Sequence, residues 1–469
     1  MKMKKMILAL CLSAGLYPGG IIGVYGQENP AMPDGPWSGK VDTGSLAMNL
    51  TFNFENSGDG LACTLDSPDQ GIKGIEAIVE AYMEDSVRVQ MPSISASYGG
   101  RITRDTNGMP ERIEGVFSQA GMSLPLNLEP GTPVRYRPQT PAPPYPYVTE
   151  EVTFRNGDVE LSGTLTWPEG YDGKNGTGIT AVLMVSGSGQ QNRDEEIFGH
   201  KPFAVIADWL ARHGIASLRY DDRGVGKSSG NPETIDIMSN MEDALAGLGY
   251  LESLGKFQKT GVLGHSEGGT IAFMIGGLGK ADFIISLAGA AVSGRQILVE
   301  QNDRFLELSG IPDTVTASYC SILDKLLEYR IACKDDRNSD VADSIIANAG
   351  AVIPAYMAEN LKSVYDTENR WIDSFITLDP REYIEVTKCP VFAANGSLDC
   401  QVIAESNLGT LRELLGNRPE DFIREYGGLN HLFQHCKTGN PTEYPEITET
   451  FATEVLSDIT GWLLSLPEE

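Results

Sequence analysis

Hydrophobic positions fall into three regimes along this chain. Between residues 33 and 136 they alternate: Leu46, Met48, Leu50, Phe52 and Phe54 recur at every second position. Val87, Val89 and Met91 repeat the pattern, as do Ile113, Gly115 and Phe117. A period of two gives a strand one apolar face. Turn-forming runs such as Asn56-Ser57-Gly58-Asp59-Gly60 and Asn107-Gly108 separate these segments. The pattern predicts a small antiparallel β-domain over 33–136. That stretch contains no histidine and shows no catalytic constellation.

Residues 137–147 interrupt the alternation with five prolines in eleven residues. Proline at that density favours an extended backbone, so the segment reads as a linker between domains.

From 148 to 469 the pattern changes again. Glu150–Phe154 and Val159–Trp167 read as a starting hairpin, and Ile179–Val185 is a continuous apolar run. Helix-like Phe203–His213 and Met241–Leu254 alternate with strand-like Ile215–Tyr220, Lys259–Leu263 and Phe283–Leu287. Buried strands alternating with helices predict an α/β architecture, a mostly parallel sheet covered on both faces. Residues 293–385 break the alternation with helical segments at Arg304–Leu308, Ser318–Tyr329 and Val341–Leu361. That is far longer than one strand-to-strand crossover, so it reads as an inserted helical cap. Val391–Ala394, Asp421–Tyr426 and a last helix over Thr448–Leu464 resume the sheet pattern.

The first 26 residues form a separate regime. Met1–Lys5 is basic, Met6–Leu16 is apolar, and Val24-Tyr25-Gly26 precedes Gln27. That order is the pattern of a secretory signal peptide, and it predicts export to a periplasmic or extracellular location. Cys11 follows Leu10, a poor fit to a lipid-anchor site, where the preceding residue is normally small. No later apolar run is long enough to span a bilayer, so no membrane insertion is expected. The formal charge is −28; without the three leader lysines, 33 basic residues face 64 acidic ones, giving −31. Such a surface disfavours nucleic acid and anionic membranes as partners. Six cysteines remain after the leader, with no metal-ligand spacing. Cys400 and Cys436 could approach one another, but buried free thiols are the preferred reading. Oligomeric state is not legible.

Candidate chemistry gathers in the third region. Gly264-His265-Ser266-Glu267-Gly268-Gly269 follows an apolar strand and precedes a helix. This is the setting of a nucleophile elbow, a tight turn that lifts a serine hydroxyl above the sheet. Serine needs a base to take its proton. Of five histidines, His200, His213 and His265 precede Ser266, which leaves His431 and His435 for the serine–acid–histidine order. His431, in a glycine-containing loop after a predicted strand, is preferred. The acid should lie between them at a strand end. Asp399 does so, whereas Asp373 and Asp379 fall in the cap. Two backbone N–H groups should form an oxyanion hole. Glu267, next to the nucleophile, is one candidate; Ser188, in the Ser186-Gly187-Ser188-Gly189 loop, is the other.

These motifs resemble those of the α/β-hydrolase superfamily, and bacterial serine esterases within it. The likeness rests on the GHSEGG elbow, on Ser186–Gly189 followed by Arg193-Asp194-Glu195, on Tyr220–Ser228, and on Gly428–Gln434. It spans about two thirds of the chain. Gln190-Gln191-Asn192 departs from the pattern, where a proline and an acid are expected. The resemblance implies hydrolysis of a small-molecule carboxylic ester, often with a short acyl chain, through Ser266, Asp399 and His431 and with no cofactor. Asp221-Asp222-Arg223 reads as structural, with Arg223 tying loops near the site. A peptidase or aminopeptidase of the same fold, or a binding protein that has lost turnover, are the alternatives.

Overall fold

The computed structural model describes residues 35–467, except 43–46, 58–59, 71, 84, 107, 120–121, 133–134, 172, 174–177, 334–338, 349–351 and 367–368. The segment read as a signal peptide lies outside the described residues. The chain divides into two compact units. One holds the residues up to Tyr136 together with Ile197–Gly199; the other holds Arg137–Glu196 and His200–Glu469.

The first unit is an antiparallel barrel of eight strands. They are β1 (Gly35–Asp42), β2 (Ala47–Ser57), β3 (Gly60–Ser67), β4 (Ile72–Met83), β5 (Ser86–Met91), β6 (Ala96–Arg104), β7 (Pro110–Gln119) and β8 (Met122–Pro130). Neighbours pair in sequence order, and β8 returns to β1 through Trp37↔Pro130 and Ser38↔Glu129. Closure leaves no open sheet edge, which the alternation alone could not foretell. The inward positions are those of the sequence pattern: Leu50, Phe52, Phe54, Val87, Val89, Met91, Ile113 and Phe117 are buried in one cluster around Trp37 and Tyr98. Gly115 has a packing reason for lacking a side chain, because a Cβ there would stand 2.5 Å from the Tyr98 hydroxyl. That hydroxyl lies 3.3 and 3.2 Å from the Ile113 and Leu126 carbonyl oxygens.

The second unit is built on a mixed eight-stranded sheet: β9 (Thr149–Asn156), β10 (Val159–Thr166), β11 (Ile179–Val185), β12 (Ala216–Tyr220), β13 (Phe257–His265), β14 (Ile284–Leu287), β15 (Val391–Gly396) and β16 (Phe422–Tyr426). Their spatial order is β16-β15-β14-β13-β11-β12-β10-β9. β9 and β10 form an antiparallel hairpin, β10 pairs antiparallel with β12, and the six strands β11 to β16 run parallel. Helices α1 (Pro202–Arg212) and α11 (Thr453–Ser465) cover one face, where Phe203, Leu210, Val455 and Ile459 join strand residues in one core. On the other face lie α2 (Ile237–Ser253), α3 (Glu267–Gly277) and α10 (Ala404–Leu415).

Between β14 and β15 stands the helical cap: α4 (Gly294–Leu308), α5 (Asp313–Cys333), α6 (Ser339–Asn348), α7 (Ala355–Asp366), α8 (Arg370–Thr377) and α9 (Arg381–Ile384). One sequence expectation needs correction. The single helix expected over Val341–Leu361 is two helices, α6 ending at Asn348 and α7 starting at Ala355. The Pro354 carbonyl receives Met357 N and Ala358 N at the start of α7, a position where proline's missing N–H costs no helical bond. The proline-rich stretch 137–147, which reads as a linker, lies at the start of the second unit. Arg137 donates to the Ile447 and Pro445 carbonyls, and the Gln139 amide bonds Thr450 N and the Phe451 backbone.

Candidate active site

The strand order changes direction at β11. The chain steps from β11 outward to β12, then crosses back to place β13 on the other side of β11. At such a switch point the loops after neighbouring strands turn apart and leave a crevice at their C-terminal ends. The loops that emerge there are Ser186–Gly189, after β11, and Ser266, after β13.

Ser266 has φ +54° and ψ −116°. Only a strongly constrained turn holds a non-glycine residue there. The glycines explain how the turn fits. A Cβ on Gly264 would lie 1.9 Å from the Gly268 carbonyl oxygen, and one on Gly268 would lie 2.0 Å from that of Val185. Ser266 N donates to the Leu287 carbonyl at 2.8 Å, which ties the turn to β14. Helix α3 starts at Glu267, and its first intrahelical bond is Thr270 N to the Ser266 carbonyl. The N–H groups of Glu267, Gly268 and Gly269 therefore have no acceptor within the helix.

Gly187 packs against the elbow: a Cβ on it would be 3.3 Å from Ser266 Cβ. Ser188 is the next residue in that loop, and Glu267 follows the serine on α3. The departure at Gln190–Asn192 is absorbed by Asp222. Its carboxylate accepts Gln191 N at 2.9 Å and the Ser186 hydroxyl at 2.7 Å. Burial pushes the Asp222 carboxyl well above the usual carboxylate range. Arg223 pairs with Asp243 of α2 at 2.7 Å, and Asp221 pairs with Arg193 at 2.8 Å.

His431 and Asp399 meet directly. His431 Nδ1 stands 2.8 Å from Asp399 Oδ2, and both side chains are buried. The other carboxylate oxygen, Oδ1, accepts Gln401 N at 2.8 Å and Val402 N at 3.0 Å. Three donors thus fix the carboxylate. The loop that carries His431 is held by Asn430, whose Oδ1 accepts Leu432 N and Gln434 N. It is joined to the acid's strand at Gly396, where a Cβ would lie 2.2 Å from the Leu429 carbonyl oxygen. His435 faces elsewhere: it is exposed and pairs with Glu449 and Glu454. Asp373 and Asp379 are engaged by Arg330 and Arg381 in the cap.

Three neighbours escaped the sequence reading. His265 lies between Glu195 and the His431 loop. Asn240 of α2 and Trp371 of α8 both donate to the buried Glu267 carboxylate. Burial holds Glu267 above the usual carboxylate range, while these two donors pull it back. Chain order marked His265 only as excluded from the base role. Nothing in the sequence marked the other two.

The family model "Serine aminopeptidase, S33" matches residues 200–361, which include the elbow. The esterase EstD of Thermotoga maritima is 27% identical over 323 residues, 68% of this chain and 69% of its own. The second unit has an α/β-hydrolase fold. Among solved structures, the α/β-hydrolase unit is similar to an esterase of Pyrococcus furiosus, at 16% identity and TM-score 0.40, covering 71% of this chain and 98% of that one. It is also similar to Est1E of Butyrivibrio proteoclasticus, with ferulic acid bound, at 16% identity and TM-score 0.41, covering 67% and 98%. The proline iminopeptidase of Mycobacterium smegmatis matches at 16% identity and TM-score 0.40, covering 67% and 98%. Among the described residues no group of three or more His, Cys, Asp or Glu side chains is placed to hold a metal ion.

Proposed function

We propose that this α/β-hydrolase cleaves carboxylic esters of small molecules, with short acyl chains preferred, through an acyl-enzyme on Ser266. His431 takes the serine proton and passes it to the leaving alcohol. Asp399 accepts the His431 Nδ1–H, which fixes the tautomer and stabilises the imidazolium that forms. The N–H groups of Ser188 and Glu267 receive the oxyanion. Water, activated by the same histidine, then releases the acid. The observation that carries this reading is the buried His431–Asp399 pair at 2.8 Å, taken together with a serine held at φ +54° in a strand-to-helix turn. The EstD likeness supports the choice of ester.

The test is release of p-nitrophenol from acetate, butyrate and octanoate esters. Expected is turnover that falls with chain length and drops roughly 10⁴-fold or more in Ser266→Ala. A well-folded protein without such turnover overturns the reading. The same preparation should be offered aminoacyl p-nitroanilides. What favours that second substrate class is the match of residues 200–361 to the serine aminopeptidase family model.

A further inference from the structure

His265 takes no part in the proton shuttle proposed above, yet both of its ring nitrogens are engaged. Nε2 lies 2.9 Å from the backbone carbonyl oxygen of His431. Nδ1 lies 2.9 Å from Glu195 Oε1, which also accepts Gly187 N–H at 2.6 Å. The protons can be placed from these contacts. A carbonyl oxygen only accepts, so Nε2 carries a hydrogen. With Glu195 ionised, a bare Nδ1 would set two acceptors against each other, so Nδ1 carries a proton as well. Oε1 receives two donors, the pattern of an ionised carboxylate. The ring is then an imidazolium and Glu195 is its counter-ion.

We propose that Glu195 and His265 form a buried ion pair that positions both halves of the active site, the oxyanion turn at Gly187–Ser188 and the base loop at His431. Glu195 sits at φ +51°, a strained conformation that its surroundings must hold in place. The His265 and His431 rings are 4.8 Å apart between centroids, so the pair stands directly against the base.

The other groups facing His265 are accounted for. Asp399, after β15, favours its charge, and Phe433 of the base loop presents a ring edge. Behind Glu195 stands Asp222, after β12, and near Asp222 stands Glu267 of α3. Burial alone would lower the His265 pKa, but the Glu195 carboxylate and the two hydrogen bonds outweigh it and hold the ring above its ordinary value.

The role given to His431 rests on the ester-hydrolase reading, so one arm of the test is independent of turnover. In ¹⁵N imidazole spectra at pH 7, the His265 signals are assigned by their loss in His265→Gln. Both ring nitrogens should be protonated in the wild type, and the ring should be neutral in Glu195→Gln. A neutral His265 in the wild type overturns the ion pair, whether or not the variant folds. The second arm is p-nitrophenyl acetate hydrolysis. Glu195→Gln should lower kcat by roughly 10- to 100-fold, with KM little changed. An unchanged kcat in a folded Glu195→Gln, or a loss that falls on KM instead, overturns the positioning role. Absence of Ser266-dependent turnover in the wild type counts against the ester-hydrolase reading, and the spectra still decide the pair.

Discussion

At the scale of single residues, the elbow depends on what cannot be present. Gly268→Ala would set a Cβ 2.0 Å from the Val185 carbonyl oxygen and 2.7 Å from that of Ser186, both rigid backbone atoms. The variant should lose hydrolysis and several degrees of Tm. Gly249 provides the contrast: it is exposed within α2, and nothing lies within 4 Å of where its Cβ would be. Gly249→Ala should stabilise by about 0.5–1 kcal/mol through helix propensity, with kcat unchanged, as read from urea unfolding. His265 adds a pH dependence whose sign follows from its raised pKa. Its contribution to stability is fully present below the unfolded value near 6.5. It is lost as pH rises through the folded value. The Tm difference between wild type and His265→Gln should therefore shrink from pH 6 to pH 9. A difference that grows over that range would contradict the cationic assignment. Thiol chemistry should be muted too. Burial pushes Cys400 up to about 12 and Cys436 up to about 11, and both stand as free thiols in the structure.

At the scale of elements, the elbow is joined to the cap through Glu267. Its backbone N–H is a proposed oxyanion donor, while its side chain accepts from Asn240 of α2 and Trp371 of α8. Trp371→Phe removes one donor from a buried carboxylate, which should cost about 1–3 kcal/mol. A double-mutant cycle with Glu267→Gln should show a coupling of about 0.5–3 kcal/mol, measured by urea unfolding. Additive effects would mean that the two side chains do not act on one another. Element identity was largely legible in the chain, because the strands of the second unit are apolar runs and its helices carry a 3.6-residue period. The breaks were less so. Apolar periodicity runs on from α6 into α7 and hides the fact that Pro354 opens a second helix. At 137–147 the backbone makes a turn, closed by Thr140 N on the Arg137 carbonyl, where composition suggests an extended run. The side-chain bonds of Arg137 and Gln139 to residues about 310 positions away leave no trace in local sequence. The Ser266, Asp399 and His431 positions could be proposed from chain order. The Glu195–His265 contact joins residues 70 apart, and only the fold brings them together.

At the scale of the whole molecule, two separately closed cores share one chain. The barrel's buried cluster runs from Trp37 to Leu128, whereas the two clusters of the hydrolase unit begin at Val152 and Val182. Every residue of the proposed site lies in the second unit. Cores that share no buried side chain can unfold as separate cooperative units. Calorimetry should accordingly show two transitions. Trp37→Ala removes a fully buried ring and should destabilise the barrel by about 3–5 kcal/mol. That should lower one transition and leave the other in place, with kcat for p-nitrophenyl acetate retained while the hydrolase unit stays folded. Leu183→Ala, in the centre of β11, should do the reverse: the other transition should fall, and activity with it. A single transition that both variants shift equally would mean that the units fold as one. Loss of activity in Trp37→Ala with the hydrolase transition intact would give the barrel a direct part in turnover.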